Sequence, residues 1–460
     1  MTPQARVRGG VRSLGPLWLA LAAYAAAIAW IGWTAWSRTE GHFVYAQDDP
    51  YIHLTLARTL ASAGVWGLAA GEPAAASSAP LWTAALALFG RLGALNVWLP
   101  FLINLVAGAA LIVLVHRQIQ HRLPEGPRAA ALIAFCFVLP LPTLVFVGME
   151  HTAHVLCVVA LCGAAASRLA DDASSDGIWP AGAALAALAA GLRYEGLFVV
   201  AAVAGLAWLR GRRVWTVPNL LIAMFLAVET LHVCLVNLEW FYRYEAYAVA
   251  LGILAVVVAV ADLRQSGRLG ALRAGSTGAQ RAAVIIALVV LCLPLFTRGA
   301  FALMTTATAC NEIYRQQYQL GRFFGAHYRG DAIALNDIGA VSWMAPVDVV
   351  DLIGLASNDI AQARRAGRVD AAFIADVVER RGVAAVAIYE SHFRAVGELP
   401  PGWMKAGEWQ MPSAIAVSGD TVAFFASSRD RASRLRIALE EFKGELPDGV
   451  RYLPSRRAGD

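Results

Sequence analysis

Lysine is nearly missing from this 460-residue chain: Lys405 and Lys443 are the only two, and every other basic side chain is arginine. Charged residues of all kinds make up 15% of the chain, against about a quarter in soluble proteins, and 58% is hydrophobic. That shortage excludes an ordinary soluble fold and leaves a chain that crosses a membrane several times. Cysteine is scarce too. Cys136, Cys157, Cys162, Cys234 and Cys292 lie in apolar segments and Cys310 has no evident partner, so neither a disulfide framework nor a CxxC or Cys/His zinc site is expected. There is no glycine-rich nucleotide-binding loop and no interleaving of aromatic with basic residues. The net charge of +5 is therefore read as membrane topology rather than nucleic-acid binding.

What the chain does have is long apolar runs, near 15–36, 97–116, 129–147, 152–168, 178–192, 196–209, 214–236, 246–261 and 282–301. The run at 80–92 is short, is closed by Arg91, and reads as a juxtamembrane or re-entrant helix. Those at 178–192 and 196–209 are also short and meet at a polar corner, "RYE". The first run follows Arg6, Arg8 and Arg12 and resembles a signal peptide, but its length makes it an uncleaved anchor. With the N-terminus inside, the inner segments hold Arg117, Arg122, Arg128, Arg168, Arg210, Arg212, Arg213, Arg264, Arg268, Arg273 and Arg281 as well. The opposite loops hold only Arg38, Arg58, Arg91, Arg193 and Arg243, which supports nine spans.

The fold expected is an α-helical polytopic membrane protein of about nine transmembrane helices, followed by a soluble α/β domain on the outer side. The membrane domain covers 1–301, with a first outer loop at 37–96, and the outer domain covers 302–460. In that domain "DAIALND" and "VAAVAIY" read as strands and "VDAAFIADVVERRG" as a helix. "AIAVSGDTVAFFA" reads as a hairpin, and "SRDRASRLRIALEEFKGELP" as a closing helix. Asn336, Asp337, Asp348 and Asp351 fall at strand ends, where turn chemistry is the simplest account.

The unusual polar residues all fall on the outer side of this topology. They are Asp48 and Asp49 in "DDPYIHLTLAR", Glu150 and His151 in "VGMEHTA", and Arg193 with Glu195 in "GLRYEG". Asn237, Glu239, Arg243 and Glu245 follow in "VNLEWFYRYEAY". Ionisable groups beside spans face a cavity or one another, so these loops line one site or are scattered anchors. Asp49 before Pro50 makes a good Ncap–N1 pair for a helix lying on the bilayer surface, which explains one aspartate but not the second. The chemical alternative is glycosyl transfer from a lipid-phosphate donor. Asp48 or Asp49 would take the acceptor hydroxyl's proton, and Arg193 or Arg243 would hold the departing phosphate. His53, one turn on from Asp49, could orient it, and the two adjacent carboxylates could instead hold a divalent cation.

The stretch "DDPYIHLTLARTLASAGVWGLAAGEPAAASSAPLWT" (48–83) resembles a bacterial branch of the integral-membrane GT-C glycosyltransferases, one similar to terminal arabinofuranosyltransferases. "GMEHTA", "GLRYEG" (with Tyr194 at the family's usual proline), "FYRYEAY" and "LNDIGAVSW…VVDLIGL" are similar to further segments in the same order. The resemblance implies a polyprenyl-phosphate-sugar donor and an envelope glycan, lipid or protein acceptor, at the outer face of the bacterial cytoplasmic membrane. By position it implies Asp48 and Asp49 as catalytic or metal-binding acids. Glu150, Arg193 and Glu195 would line the donor site, with His53 and Arg243 beside it. Two other readings remain. A transporter or flippase would predict inverted repeats and polar residues at mid-membrane, and a non-catalytic glycan-binding scaffold would not need the aspartates.

Overall fold

The computed structural model describes residues 14–171, 179–209, 215–236, 241–396 and 399–455. The chain opens with α1 (Gly15–Arg38), then α2 (Asp49–Ala63) and α3 (Pro80–Arg91). α4 (Leu99–Ile119), α5 (Glu125–Val138), α6 (Leu141–Val147) and α7 (His151–Ala170) follow. Next come α8 (Pro180–Leu192), α9 (Gly196–Leu209), α10 (Val217–Leu235), α11 (Ala246–Gln265), α12 (Arg268–Gly275) and the 36-residue α13 (Gly278–Ile313).

Among the described residues, seven helical stretches are long and apolar enough to cross a membrane: α1, α4, α5 with α6, α7, α10, α11, and α13 with its continuation. α8 and α9 have 13 and 14 residues. At 1.5 Å per residue each covers about 20 Å, short of a hydrocarbon core of about 30 Å. The nine expected spans are thus seven full-length stretches and one broken pair that meets at the Arg193–Glu195 corner.

α13 runs through the domain boundary expected at 301/302 without a break. It passes into a π-helical turn (Tyr314–Tyr318) and α14 (Gln319–His327) before the first strand. The second region contains β1 (Ala332–Leu335), α15 (Gly339–Met344), β2 (Asp348–Asp351), α16 (Asn358–Arg365), α17 (Ala371–Arg380) and β3 (Ala385–Ile388). α18 (Glu390–Val396), β4 (Met404–Gln410), β5 (Thr421–Ala426), α19 (Arg429–Phe442) and β6 (Arg451–Pro454) complete it. The sheet order is β2-β1-β3-β5-β4-β6, parallel through the first three strands and antiparallel through the rest. Both faces are covered, so β1 and β3 read as continuous apolar runs. Phe323, Phe324 and Phe442 pack with Trp409 and Phe424 on one face, while Ile360, Ile374 and Val377 pack with Val350 and Val386 on the other.

The hairpin expected within "AIAVSGDTVAFFA" is wider than its sequence implies. Its first arm is β4, and the intervening segment is not a strand. The buried Glu312 carboxylate takes the hydrogen bonds that a strand partner would have taken. It accepts from Ser413 Oγ (2.7 Å), Ile415 N (2.7 Å) and Ala416 N (2.8 Å).

The two regions are joined by α2. Expected on the bilayer surface, it is instead buried continuously from Pro50 to Ala57. Neither aspartate caps it: Asp48 occupies the cap position, but its side chain makes no cap bond, which corrects the Asp49–Pro50 reading. The Asp48 carboxylate instead accepts from Gly339 N (2.6 Å) and Ala340 N (2.8 Å) at the start of α15. At the other end of α15, Arg58 donates to the carbonyls of Ser342 (2.8 Å) and Trp343 (2.9 Å). A carboxyl group on the orphan amides and a guanidinium on the orphan carbonyls satisfy both ends of the short helix. The approach is so close that a Cβ on Gly339 would lie 2.1 Å from the Asp48 carbonyl oxygen.

Removing this clamp should loosen the whole junction. Asp48→Ala strips two buried amides of their acceptor, at about 1–3 kcal/mol each, whereas Asp48→Asn keeps one acceptor oxygen. Thermal denaturation of the purified protein should therefore rank wild type above Asp48→Asn, and Asp48→Asn above Asp48→Ala and Gly339→Ala. Wild-type melting of Asp48→Ala would remove the clamp from the account.

Candidate active site

A cavity of about 460 Å³ lies where several inter-helix loops and the C-terminal region meet. Asp49, Ile52 and His53 enter it from α2, and Ala75–Ser78 from the loop before α3. Met149 comes from the turn ahead of α7, Tyr194 from the α8–α9 corner, Arg243 and Tyr244 from the turn ahead of α11, and Leu355 from the loop after β2. Each of these segments is one of the separate motifs singled out in the sequence.

The two aspartates take different directions. Successive residues entering a helix point about 100° apart, and here that turn decides their roles. Asp48 is 9% exposed, with both oxygens held by the α15 amides. Burial raises its pKa and the neighbouring Asp337 carboxylate raises it further, while the two amides oppose the shift. The Asp49 side chain is 36% exposed on the cavity. Its Oδ2 accepts from Arg243 Nη2 (2.6 Å), and its Oδ1 makes no hydrogen bond with any described residue. Of the two expected catalytic acids, Asp49 is the one placed to meet a ligand.

Arg243 is held on all sides. Besides Asp49, it donates to the Tyr244 hydroxyl (3.1 Å) and points Nη1 at Met149 Sδ (2.7 Å). Its guanidinium lies 4.9 Å from the Tyr244 ring centre, and its Nε has no partner among the described residues. His53 does not touch Asp49. Its Nδ1 lies 2.9 Å from Thr83 Oγ1 and 3.4 Å from Ser77 Oγ. Burial lowers its pKa, against the pull of Glu150 and Asp49, so the ring is neutral and serves as a wall fixed by hydroxyls.

Glu150, Arg193 and Glu195, expected to line a donor site, form a buried cluster behind the cavity and are not part of its lining. Arg193 forks onto Glu195 (Nε 3.0 Å, Nη2 2.6 Å), and its Nη1 donates to Glu150 (2.7 Å), with His151 Nε2 at 3.4 Å. Two carboxylates saturate this arginine, and a phosphate would have to displace one of them. Tyr244 links the cluster to the cavity, its ring lying 5.3 Å from the Arg193 guanidinium on one side. Glu245 pairs with Arg298 of α13, while Asn237 and Glu239 lie outside the described residues.

The cation site expected at the aspartate pair does not fit these donors. Asp48 spends both oxygens on backbone amides and Asp49 one on Arg243. Among the described residues no group of three His, Cys, Asp or Glu side chains could hold a metal.

The C-terminal region closes one wall. The Asp351 carboxylate, fully buried, accepts from Ile353 N (2.8 Å) and Ala356 N (2.6 Å), and burial raises its pKa. It thereby shapes the loop that delivers Leu355. Asn358 donates to the Pro73 carbonyl (2.6 Å) and Arg381 pairs with Glu72 (2.6 Å), so the "GEP" loop is stapled to this wall. Asn336 accepts from Tyr389 N (3.2 Å), Asp337 from Tyr389 Oη (2.9 Å) and Gln317 (3.0 Å), and Asp348 faces Arg381 (3.4 Å). All four strand-end residues are thus engaged within the protein. Sequence reasoning missed Tyr244, Leu355, Arg58 and Gly339. Only Tyr244 had a readable signal, an aromatic on either side of Arg243.

The family described as a domain of unknown function (DUF8728) matches residues 311–425, from the end of α13 to β5. That span includes the Gly339 and Leu355 segments but none of the cavity residues from the first 244 positions. No curated protein and no solved structure matches the chain.

Arg193→Ala should act on stability. It leaves Glu150 and Glu195 buried without their cation, an effect of roughly 3–5 kcal/mol, and should collapse the melting transition. Arg243→Ala uncovers only the half-exposed Asp49 and should melt closer to wild type. The reverse order in thermal denaturation would make Arg193 the ligand-facing arginine.

Proposed function

We propose that the chain is a GT-C-type glycosyltransferase that moves a sugar from a polyprenyl-phosphate donor to a hydroxyl of an envelope glycan, lipid or protein. The reaction would take place at the outer face of the bacterial cytoplasmic membrane. The observation that carries this reading is the convergence of the ordered sequence motifs on one cavity, with a half-exposed carboxylate and a phosphate-competent arginine side by side in it. The ordered resemblance to that transferase family supports it as well, as does the set of apolar helices that would keep a lipid donor at this height.

The chemistry is a single displacement with inversion. The acceptor oxygen attacks the anomeric carbon on the face opposite the phosphate, and Asp49 Oδ1 takes the hydroxyl proton. The bond from the anomeric carbon to the phosphate oxygen breaks, its electron pair stays on phosphate, and polyprenyl phosphate departs. The charge balance of the site makes this coupled. Asp49, Glu150 and Glu195 set three carboxylates against Arg193 and Arg243, leaving one negative charge in excess before any donor arrives. A phosphate therefore binds by drawing Arg243 away from Asp49, since arginine matches phosphate in a bidentate fork. Freed of its cation, Asp49 becomes a stronger base when the proton must be taken.

The test is mass spectrometry of lipid extracts from a strain lacking the protein, complemented with wild type or Asp49→Asn. One polyprenyl-phosphate sugar should accumulate in the deletion and be cleared by wild type. Asp49→Asn should clear it roughly 10²–10⁴-fold more slowly, and its melting temperature should fall less than that of Arg193→Ala, since the amide oxygen still accepts from Arg243. Unchanged lipids, together with full rescue of any other phenotype by Asp49→Asn, would point to a scaffold and end the transferase reading.

A further inference from the structure

The loop that carries Ala75–Ser78 into the cavity and the loop that carries Leu355 meet a second time, a few residues away. A hollow of about 240 Å³ is lined by Glu72 and Pro73 of the first loop and by Ser357, Asn358 and Asp359 of the second, together with Arg381. On one wall, residues 71–73 precede the stretch at 75–78. On the other, residues 356–359 follow Leu355. Three residues of extended chain span about 10 Å. The two hollows therefore adjoin along the same pair of walls, within reach of one short chain molecule.

Both walls of the smaller hollow are fixed in place. They are tied to each other by Asn358 Nδ2 on the Pro73 carbonyl (2.6 Å) and by the Arg381–Glu72 pair (2.6 Å). The second wall is shaped by Asp351, whose carboxylate accepts from Ala356 N and whose own N–H donates to Ser357 Oγ (3.0 Å). Polar groups remain to face a ligand. Ser357 is 8% exposed, and its hydroxyl hydrogen has no acceptor among the described residues. Asn358 Oδ1 makes no hydrogen bond with any described residue. Asp359 spends one oxygen on Ile360 N (2.9 Å) and leaves the other open. Glu72 and Asp359 against Arg381 leave one negative charge in excess.

We propose that this hollow is a subsite for a neutral glycan chain beside the cavity. The inference rests on the transferase reading in one respect, that the glycan is the acceptor. Its terminal sugar then occupies the cavity by Asp49, and the sugar before it lies between residues 71–73 and 356–359. A sugar hydroxyl both donates and accepts, which matches one unspent O–H and two unspent oxygens. Other occupants fit worse. The excess negative charge repels a phosphate, and the lining holds no aromatic or long aliphatic side chain to anchor a peptide or an acyl chain. Of a glycan, a lipid and a protein, the subsite selects the glycan.

The experiment is native mass spectrometry of the purified full chain with size-graded oligosaccharides, released by partial hydrolysis from the envelope glycans of the strain lacking the protein. Fractions of two to four sugars should be retained roughly tenfold more tightly than the monosaccharide fraction, the worth of one or two net hydrogen bonds. Gly71→Trp fills the hollow and Asp359→Ala removes an acceptor. Each should cancel most of that gain and leave monosaccharide binding unchanged. Both positions are exposed, and a Cβ on Gly71 meets nothing within 4 Å, so both variants should melt close to wild type. Equal retention of all sizes, or a gain that survives both variants, would overturn the proposal. Binding needs no donor. A gain lost in both variants, alongside unchanged donor lipids, would therefore uphold the glycan subsite and end only the transferase reading.

Discussion

Everything at the cavity depends on one interaction, the grip of α2 on α15. α15 has six residues, too short to hold itself by its own hydrogen bonds. It is fixed because Asp48 satisfies its first amides and Arg58 its last carbonyls. That grip sets the C-terminal sheet against the membrane helices, brings the Leu355 loop over the cavity, and turns Asp49 toward it. A carboxylate pair that looks chemically equivalent on paper is thereby divided into an anchor and a group that faces the cavity.

The division could not be read from the sequence, because it depends on a partner nearly 300 positions away. Much else could. The apolar runs become helices where expected, since length and composition alone decide whether a segment can cross a membrane. β1, β3, α17 and α19 appear where their periodicity placed them. Failures came where a buried polar side chain overrode the local pattern. Glu312 took the Ser413 hydroxyl and the amides of Ile415 and Ala416 from the expected hairpin, and Asp48 capped a distant helix rather than its own. The site was half legible. The sequence offered a shared site and scattered anchors as alternatives, and it did not say which members of the motifs would face a cavity. Arg193 and Arg243 are alike in sequence, and only their neighbours distinguish them. Arg193 has two buried carboxylates, whereas Arg243 has a single half-exposed one.

That contrast explains why the buried cluster matters without touching a ligand. Glu150, Arg193 and Glu195 hold the α7 start and the α8–α9 corner together, and Tyr244 rests against the arginine. They are positioning residues, since their geometry sets where Tyr244, and hence Arg243, stands. The net negative charge they leave would constrain the proposed function: on that reading an anionic donor binds by drawing Arg243 away from Asp49. Recognition of phosphate and activation of the base would then be one event.

The most direct test of this account is where a donor's phosphate lands. A polyprenyl phosphate carrying a photoreactive group beside its phosphate would be cross-linked to the full-length protein in membranes, and the labelled peptides sequenced. The account predicts labels on the cavity wall, at Ser77–Ser78, Tyr194, Tyr244 and Leu355, with loss of labelling in Arg243→Ala. Labels confined to other faces of the molecule, or unaffected by Arg243→Ala, would contradict it.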